Sequence, residues 1–148
     1  MQLKEYLDQL RAPKPPHSEW LQAVDGYIGP LTNHDDFHCR CLNLDALRAH
    51  SERYRRMQEA VSNVHRKQYR TVFSHGDLGP HNILWKDGKI VIIDWERSGW
   101  FPEYWDFTRT YIVRGYFTGW WKMFERMVER YNDELEHADQ ISEYFETV

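Results

Sequence analysis

Cysteine is nearly absent. Only Cys39 and Cys41 occur, and residues two apart are badly placed to bridge each other, so no disulfide framework is expected. That usage suits a reducing compartment. Long apolar runs are missing as well: the opening Met1-Gln2-Leu3-Lys4-Glu5-Tyr6 alternates apolar and charged residues, and no stretch has the length of a secretory signal or a bilayer span. A cytoplasmic protein with no membrane partner is predicted. There is no excess of positive charge either, since the formal net charge is −4, which leaves no basic field for a nucleic-acid backbone. The cluster Arg48, Arg53, Arg55 and Arg56 is interleaved with Glu52 and Glu59 and reads as a solvated helix face, so nucleic acid is not an expected partner. Internal repeats, low-complexity tracts and linkers are lacking, and so is any Gly-x-Gly-x-x-Gly phosphate loop.

What is present is enough for one domain spanning residues 1–148. A chain of that length buries about 70% of the surface its unfolded form exposes. Seven tryptophans fall mostly among apolar neighbours and read as core packing rather than as a stacking platform. Leu3, Leu7 and Leu10 recur at helical spacing, and Pro13, Pro15 and Pro16 end that helix. Weak turn signals surround a possible short strand between Ser18 and Pro30. A second helix is expected from Asn43 to His65, capped near Asn43 or Asp45. Thr71-Val72-Phe73 is a β-rich stub. Asn82 to Trp85 and Lys89 to Ile93 flank Asp87-Gly88, a strong hairpin signal. Gly99 to Pro102 reads as loop. Tyr104 to Tyr131 is helical with an interruption near Gly115 and Gly119, and Asp133 to Val148 forms one more amphipathic helix. The expected class is α+β, mainly helical, with a short β-hairpin carrying the site.

The chemistry concentrates in Phe73-Ser-His-Gly-Asp-Leu-Gly-Pro-His-Asn-Ile-Leu84 and, beyond the hairpin, Ile93-Asp-Trp-Glu96. This contains His-x-Asp-x-x-x-x-Asn and a later Asp at a strand exit, the spacing of kinase catalytic loops. With Asp87-Gly88 as a two-residue turn, Lys86 pairs with Lys89, Leu84 with Val91 and Asn82 with Ile93, so Asp94 emerges beside His81 and Asn82. Asp77 folds back over the same end through Gly79-Pro80. Two carboxylates and an amide oxygen are thereby gathered, hard donors of the kind magnesium takes. Strict alternation would point Asn82 and Asp94 to opposite faces, so one of them must leave the ladder or a bulge must intervene. Singly, each of the three reads as a turn or strand-end residue. Their joint spacing favours phosphoryl transfer.

The runs His75-Gly-Asp-Leu-Gly-Pro-His-Asn-Ile-Leu, Ile92-Ile-Asp-Trp-Glu and Gly99-Trp-Phe-Pro-Glu-Tyr-Trp-Asp-Phe resemble the aminoglycoside phosphotransferase and choline kinase family, in a form common among fungal proteins. The match is specific over about Val72 to Phe107. The resemblance implies the C-terminal lobe of a protein-kinase-like fold, with ATP and Mg2+ as cofactors and a small-molecule hydroxyl as acceptor. It implies Asp77 as catalytic base, Asn82 and Asp94 as metal and cofactor ligands, and His75, Trp95 and Glu96 as supports of the loops. His75 and His81 read as structural, as do Glu103, Trp105 and Asp106. His34, His38, Cys39 and Cys41 fit no standard zinc spacing.

Complete family members carry an N-terminal lobe with a phosphate-binding strand lysine and a covering loop. Neither is legible upstream of the first helix, so the chain is expected to be truncated and weak or inactive alone. A homo-oligomer or partner is expected to cover the surface such a lobe would occupy. Alternatives from other classes are a non-catalytic binding or regulatory module and a metal-dependent hydrolase. The hydrolase lacks a dedicated base and further ligands. Acceptor identity is not written in the motif.

Overall fold

The computed structural model describes residues 2–16, 22–23, 67–136 and 138. The expected helix from Asn43 to His65, the Cys/His stretch and the arginine cluster lie outside the described residues, as does most of the expected last helix, of which residues 133–136 and 138 are helical.

Helix α1 (Gln2–Arg11) forms where the leucine spacing predicts it, with Leu3 and Leu7 buried. Its polar face carries the i,i+4 pair Lys4 and Asp8 at 2.6 Å. Gln2, at the start of the helix, reaches the hairpin: its Nε2 donates to the Gly88 carbonyl and its Oε1 accepts the Ile90 N–H, both at 3.1 Å. The helix is therefore keyed to the hairpin backbone and not only packed against it.

That hairpin joins β3 (Ile83–Lys86) to β4 (Lys89–Ile92) in the expected register, Lys86 opposite Lys89 and Leu84 opposite Val91. Asp87 and Gly88 both have positive φ, 50° and 76°, the signature of a type I′ turn, whose twist matches that of the strands it connects. Ile83, Ile90 and Ile92 share the face packed on the core, whereas Leu84 and Val91 point outward and are exposed.

A second antiparallel sheet was not legible in the sequence. Gly99–Pro102, expected as loop, is strand β5, and it lies between β1 (Gln22–Ala23) and β2 (Thr71–Ser74). Its glycine and proline lower local strand propensity, but the pairing is supplied from distant sequence: Gly99 faces Ser74 and Pro102 faces Thr71. Proline is tolerated at this strand end. The architecture is thus α+β with two small antiparallel sheets, where a single hairpin was expected.

The helical stretch after Tyr104 is broken around Gly115 into α2 (Trp105–Ile112) and α3 (Thr118–Phe124) with turns between, while Gly119 lies inside α3 and the helix ends at Phe124 rather than running to Tyr131. Phe107 and Phe124 from these helices meet Leu3, Leu7, Leu78, Tyr104, Met127 and Tyr131 in the core. Trp105, Trp120 and Trp121 border that core as expected, but Trp85 does not: it is 70% exposed near the hairpin tip.

Candidate active site

Strand β2 delivers the chain to His75, where α2 takes hold of it. Asp106, wholly buried, accepts the His75 N–H on Oδ2 at 3.3 Å and the Gly76 N–H on Oδ1 at 2.8 Å. One turn on, Arg109 Nε donates to the Gly76 carbonyl at 3.4 Å, and Thr110 Oγ1 donates to the Leu78 carbonyl at 3.1 Å. Positions 106, 109 and 110 share one helix face, so a single face fixes the backbone of residues 75–78. Gly76 is required twice over: its φ is +81°, and a Cβ there would stand 2.1 Å from the Arg97 carbonyl oxygen.

His75 joins the two halves of the motif. Its Nδ1 accepts the Asp77 N–H at 3.3 Å, which leaves Nε2 to carry the proton and donate to the Ile93 carbonyl at 2.9 Å. The imidazole is fully buried and lies 4.7 Å, centroid to centroid, from the Trp95 ring. One side chain thus ties the residue before Asp94 to the residue that bears the Asp77 carboxylate.

The loop then turns tightly. Gly79 precedes a 3₁₀ turn over Pro80–Asn82, closed by the Asn82 N–H on the Gly79 carbonyl at 3.0 Å. A Cβ on Gly79 would come within 2.5 Å of the His81 ring. His81 Nε2 in turn lies 3.7 Å from Asp77 Oδ2, and its ring stacks on Phe117 at 5.4 Å. Asp77 is about one-third exposed, at 32%, and so is open to a substrate.

Asn82 is buried, with its Nδ2 donating to the Asp77 carbonyl at 2.9 Å. With the amide nitrogen engaged, Oδ1 is the atom left for a cation. The Asn82 carbonyl accepts the Ile93 N–H at 3.0 Å, continuing the hairpin register by one step. Asn82 and Asp94 both lie outside the ladder whose strict alternation would set them on opposite faces. Asn82 belongs to the 3₁₀ turn rather than to β3, and Asp94 adopts a left-handed backbone with φ 62° just past β4. A left-handed non-glycine residue is uncommon and marks a position held by its surroundings.

Beyond Asp94 the chain folds into a turn. Trp95 Nε1 donates to the Ile92 carbonyl at 3.0 Å, and the Trp95 carbonyl accepts both the N–H and the hydroxyl of buried Ser98, at 3.0 and 2.6 Å. Glu96 points to solvent, with Arg97 4.0 Å away, so Ser98 and Trp95 are the residues that close this turn. Arg109 and Thr110 escape a motif-based reading because each acts on a backbone group more than 30 residues away in sequence, and Ser98 because a serine closing a local turn carries no motif of its own. Asp106 carried one available signal, its place in Glu103-Tyr-Trp-Asp106.

Among the described residues no group of three or more His, Cys, Asp or Glu side chains converges as a metal site. Asn82 and Asp94 offer only hard oxygen donors. Such a sparse set fits magnesium, which takes one or two protein donors and completes its octahedron with phosphates and water.

No curated protein and no solved structure matches the chain. The phosphotransferase enzyme family matches it over residues 6–144, nearly the whole length and all of the loop, hairpin and supporting helix just described, and the chain belongs to that family.

Proposed function

We propose that this chain is an ATP- and magnesium-dependent phosphotransferase acting on a hydroxyl of a small molecule, with Asp77 as catalytic base and Asn82 and Asp94 as the metal-holding pair. The observation that carries this reading is His75, whose two ring nitrogens bind the Asp77 N–H and the Ile93 carbonyl. A base and a metal ligand separated by a hairpin are thereby held as one rigid unit. Phosphoryl transfer needs positioning more than covalent chemistry from the protein.

Asp77 accepts the acceptor's hydroxyl proton as the oxygen closes on phosphorus, and its partial exposure leaves room for that approach. Magnesium, when bound, neutralises charge on the phosphate oxygens. Asn82 holds its donor in place through its bond to the Asp77 carbonyl, and Asp94 is held at the strand exit by its left-handed backbone. ATP as donor is supported by the outward hairpin face, where exposed Leu84 and Val91 lie opposite each other within two or three residues of Asn82 and Asp94. An apolar platform beside a metal pair suits a nucleobase whose phosphates reach the metal. A second lobe or a second copy of the chain would close over the same face. Among the described residues no helix is long and apolar enough to cross a membrane. Together with the cysteine usage, this supports a cytoplasmic setting.

The test is transfer of the γ-phosphoryl group of ATP to a panel of small hydroxyl compounds, with magnesium varied. Asp77→Asn is expected to abolish most turnover at any magnesium concentration, and Asp94→Asn to raise the magnesium requirement. Rescue of the Asp77 variant by magnesium, with none for the Asp94 variant, would reverse the assigned roles.

A further inference from the structure

Away from the catalytic loop, a cavity of ≈ 520 Å³ lies between α1 and the segment that follows α3. Its floor is apolar: Leu7, Met127 and Tyr131 line it, and all three are buried. Its charged lining is Lys4, Arg11, Arg70 and Arg126 against Asp8 and Glu129, a positive excess in a chain of net charge −4. The cations are unequally committed. Lys4 is paired with Asp8 at 2.6 Å in a pair open to solvent and easily exchanged, whereas Arg70 is held by Glu103 at 2.8 Å through its side chain and also through its backbone N–H. Arg126 forms no ion pair among the described residues.

Arg11 is the unusual member. Its side chain is 16% exposed, and its Nε and Nη2 are buried without a hydrogen-bond partner. The charge facing it is Asp106, 3.8 Å from Nη2, whose two oxygens already accept the His75 and Gly76 N–H groups. A guanidinium offers five donors in a fixed fork, and here Nε and Nη2 have no hydrogen-bond acceptor, with Asp106 as the facing charge.

We infer that this cavity is a binding site for a small phosphomonoester with an apolar body. Guanidinium forks match phosphate oxygens, a lysine adds a point charge, and the buried floor receives the apolar part. Arg11 lines the cavity, and its buried Nη2 lies 3.8 Å from Asp106 on the far side. Because Asp106 holds the amides of His75 and Gly76, occupancy of the cavity is transmitted to the loop that carries Asp77. The site is argued from the cavity alone and does not depend on the phosphotransferase reading.

The experiment is backbone-amide NMR on the full chain, without ATP or magnesium, titrated with phenyl phosphate, inorganic phosphate and sodium chloride. Phenyl phosphate is expected to saturate and to bind roughly tenfold or more tightly than inorganic phosphate, through its added apolar burial. The amides of Leu7, Met127, His75 and Gly76 should follow one binding curve. Exposed Arg126 tolerates replacement, and Arg126→Ala should weaken binding roughly tenfold, with Lys4→Ala as a second variant of unchanged fold. Absence of saturation, shifts reproduced by sodium chloride, or an affinity indifferent to both variants would overturn the site. Saturable binding with unmoved His75 and Gly76 amides would overturn its link to the loop.

Discussion

Gly76 and Asp77 are neighbours under opposite constraints. Gly76 has no room for a side chain, because its φ of +81° and the Arg97 carbonyl 2.1 Å from a built Cβ leave none. Gly76→Ala should therefore destabilise the chain by about 2 kcal/mol, read as a lower urea midpoint at unchanged m-value. Asp77 is open by comparison, and among the described residues its carboxylate makes no bond shorter than the 3.7 Å approach to His81. Asp77→Asn should leave the urea midpoint nearly unmoved while lowering phosphotransfer by roughly 10²- to 10⁴-fold. A variant that lost both in proportion would show that Asp77 acts by holding the loop and not by chemistry. His75 stands between these cases, since its ring bonds are structural but what they position are the backbones beside the proposed base Asp77 and the proposed metal ligand Asp94.

At the scale of elements, α2 is the clamp of the site and the hairpin is its arm. Asp106, Arg109 and Thr110 hold residues 75–78 from one helix face. Asp106→Ala would leave two buried N–H groups and the Arg11 charge without a partner, a loss of about 3 kcal/mol. Hydrogen exchange should show the His75 and Gly76 amides losing protection before those of α1 do. The hairpin depends on its turn. Gly88 has open space around it but a φ of +76°, so Gly88→Ala should cost about 1 kcal/mol. For a chain of this size that is a fall in Tm of roughly 2–4 °C.

Across the whole molecule, the entry to β2 and the end of the described chain are joined by half-buried Tyr69 and buried Tyr131. The Tyr69 hydroxyl bonds Glu134, whose carboxylate also takes Lys67 at 3.0 Å, and the Tyr69 ring packs edge-on against Tyr104 at 4.7 Å. Burial, then the bond to Glu134, pushes the Tyr69 hydroxyl well above its ordinary value of 10.0. Burial, then the Glu103 and Glu129 charges, does the same for Tyr131. A folded-state value above the unfolded one means that the native state keeps protons the unfolded chain releases. The stabilisation is therefore complete below pH about 10 and declines as pH rises past it. Urea unfolding between pH 8 and 11.5 should show this alkaline loss, and Tyr69→Phe should flatten it. An equally steep decline in the variant would place its origin elsewhere.

The sequence by itself determined what local spacing can encode. Leucines at helical intervals specify α1, Asp87-Gly88 specifies the turn and with it the register of the hairpin, and the His-x-Asp-x-x-x-x-Asn run with its later Asp marks the family. Each of these is a property of neighbours in the chain. Tertiary structure decided the rest, because its causes lie between segments far apart. Gly99–Pro102 became a strand only through distant partners, and Asn82 and Asp94 escaped the ladder's alternation by leaving it at both ends. Asp106, read from sequence as structural, became the anchor of the loop that begins at His75 because a buried carboxylate answers the nearest unsatisfied N–H groups, and those belong to residues 31 and 30 positions away.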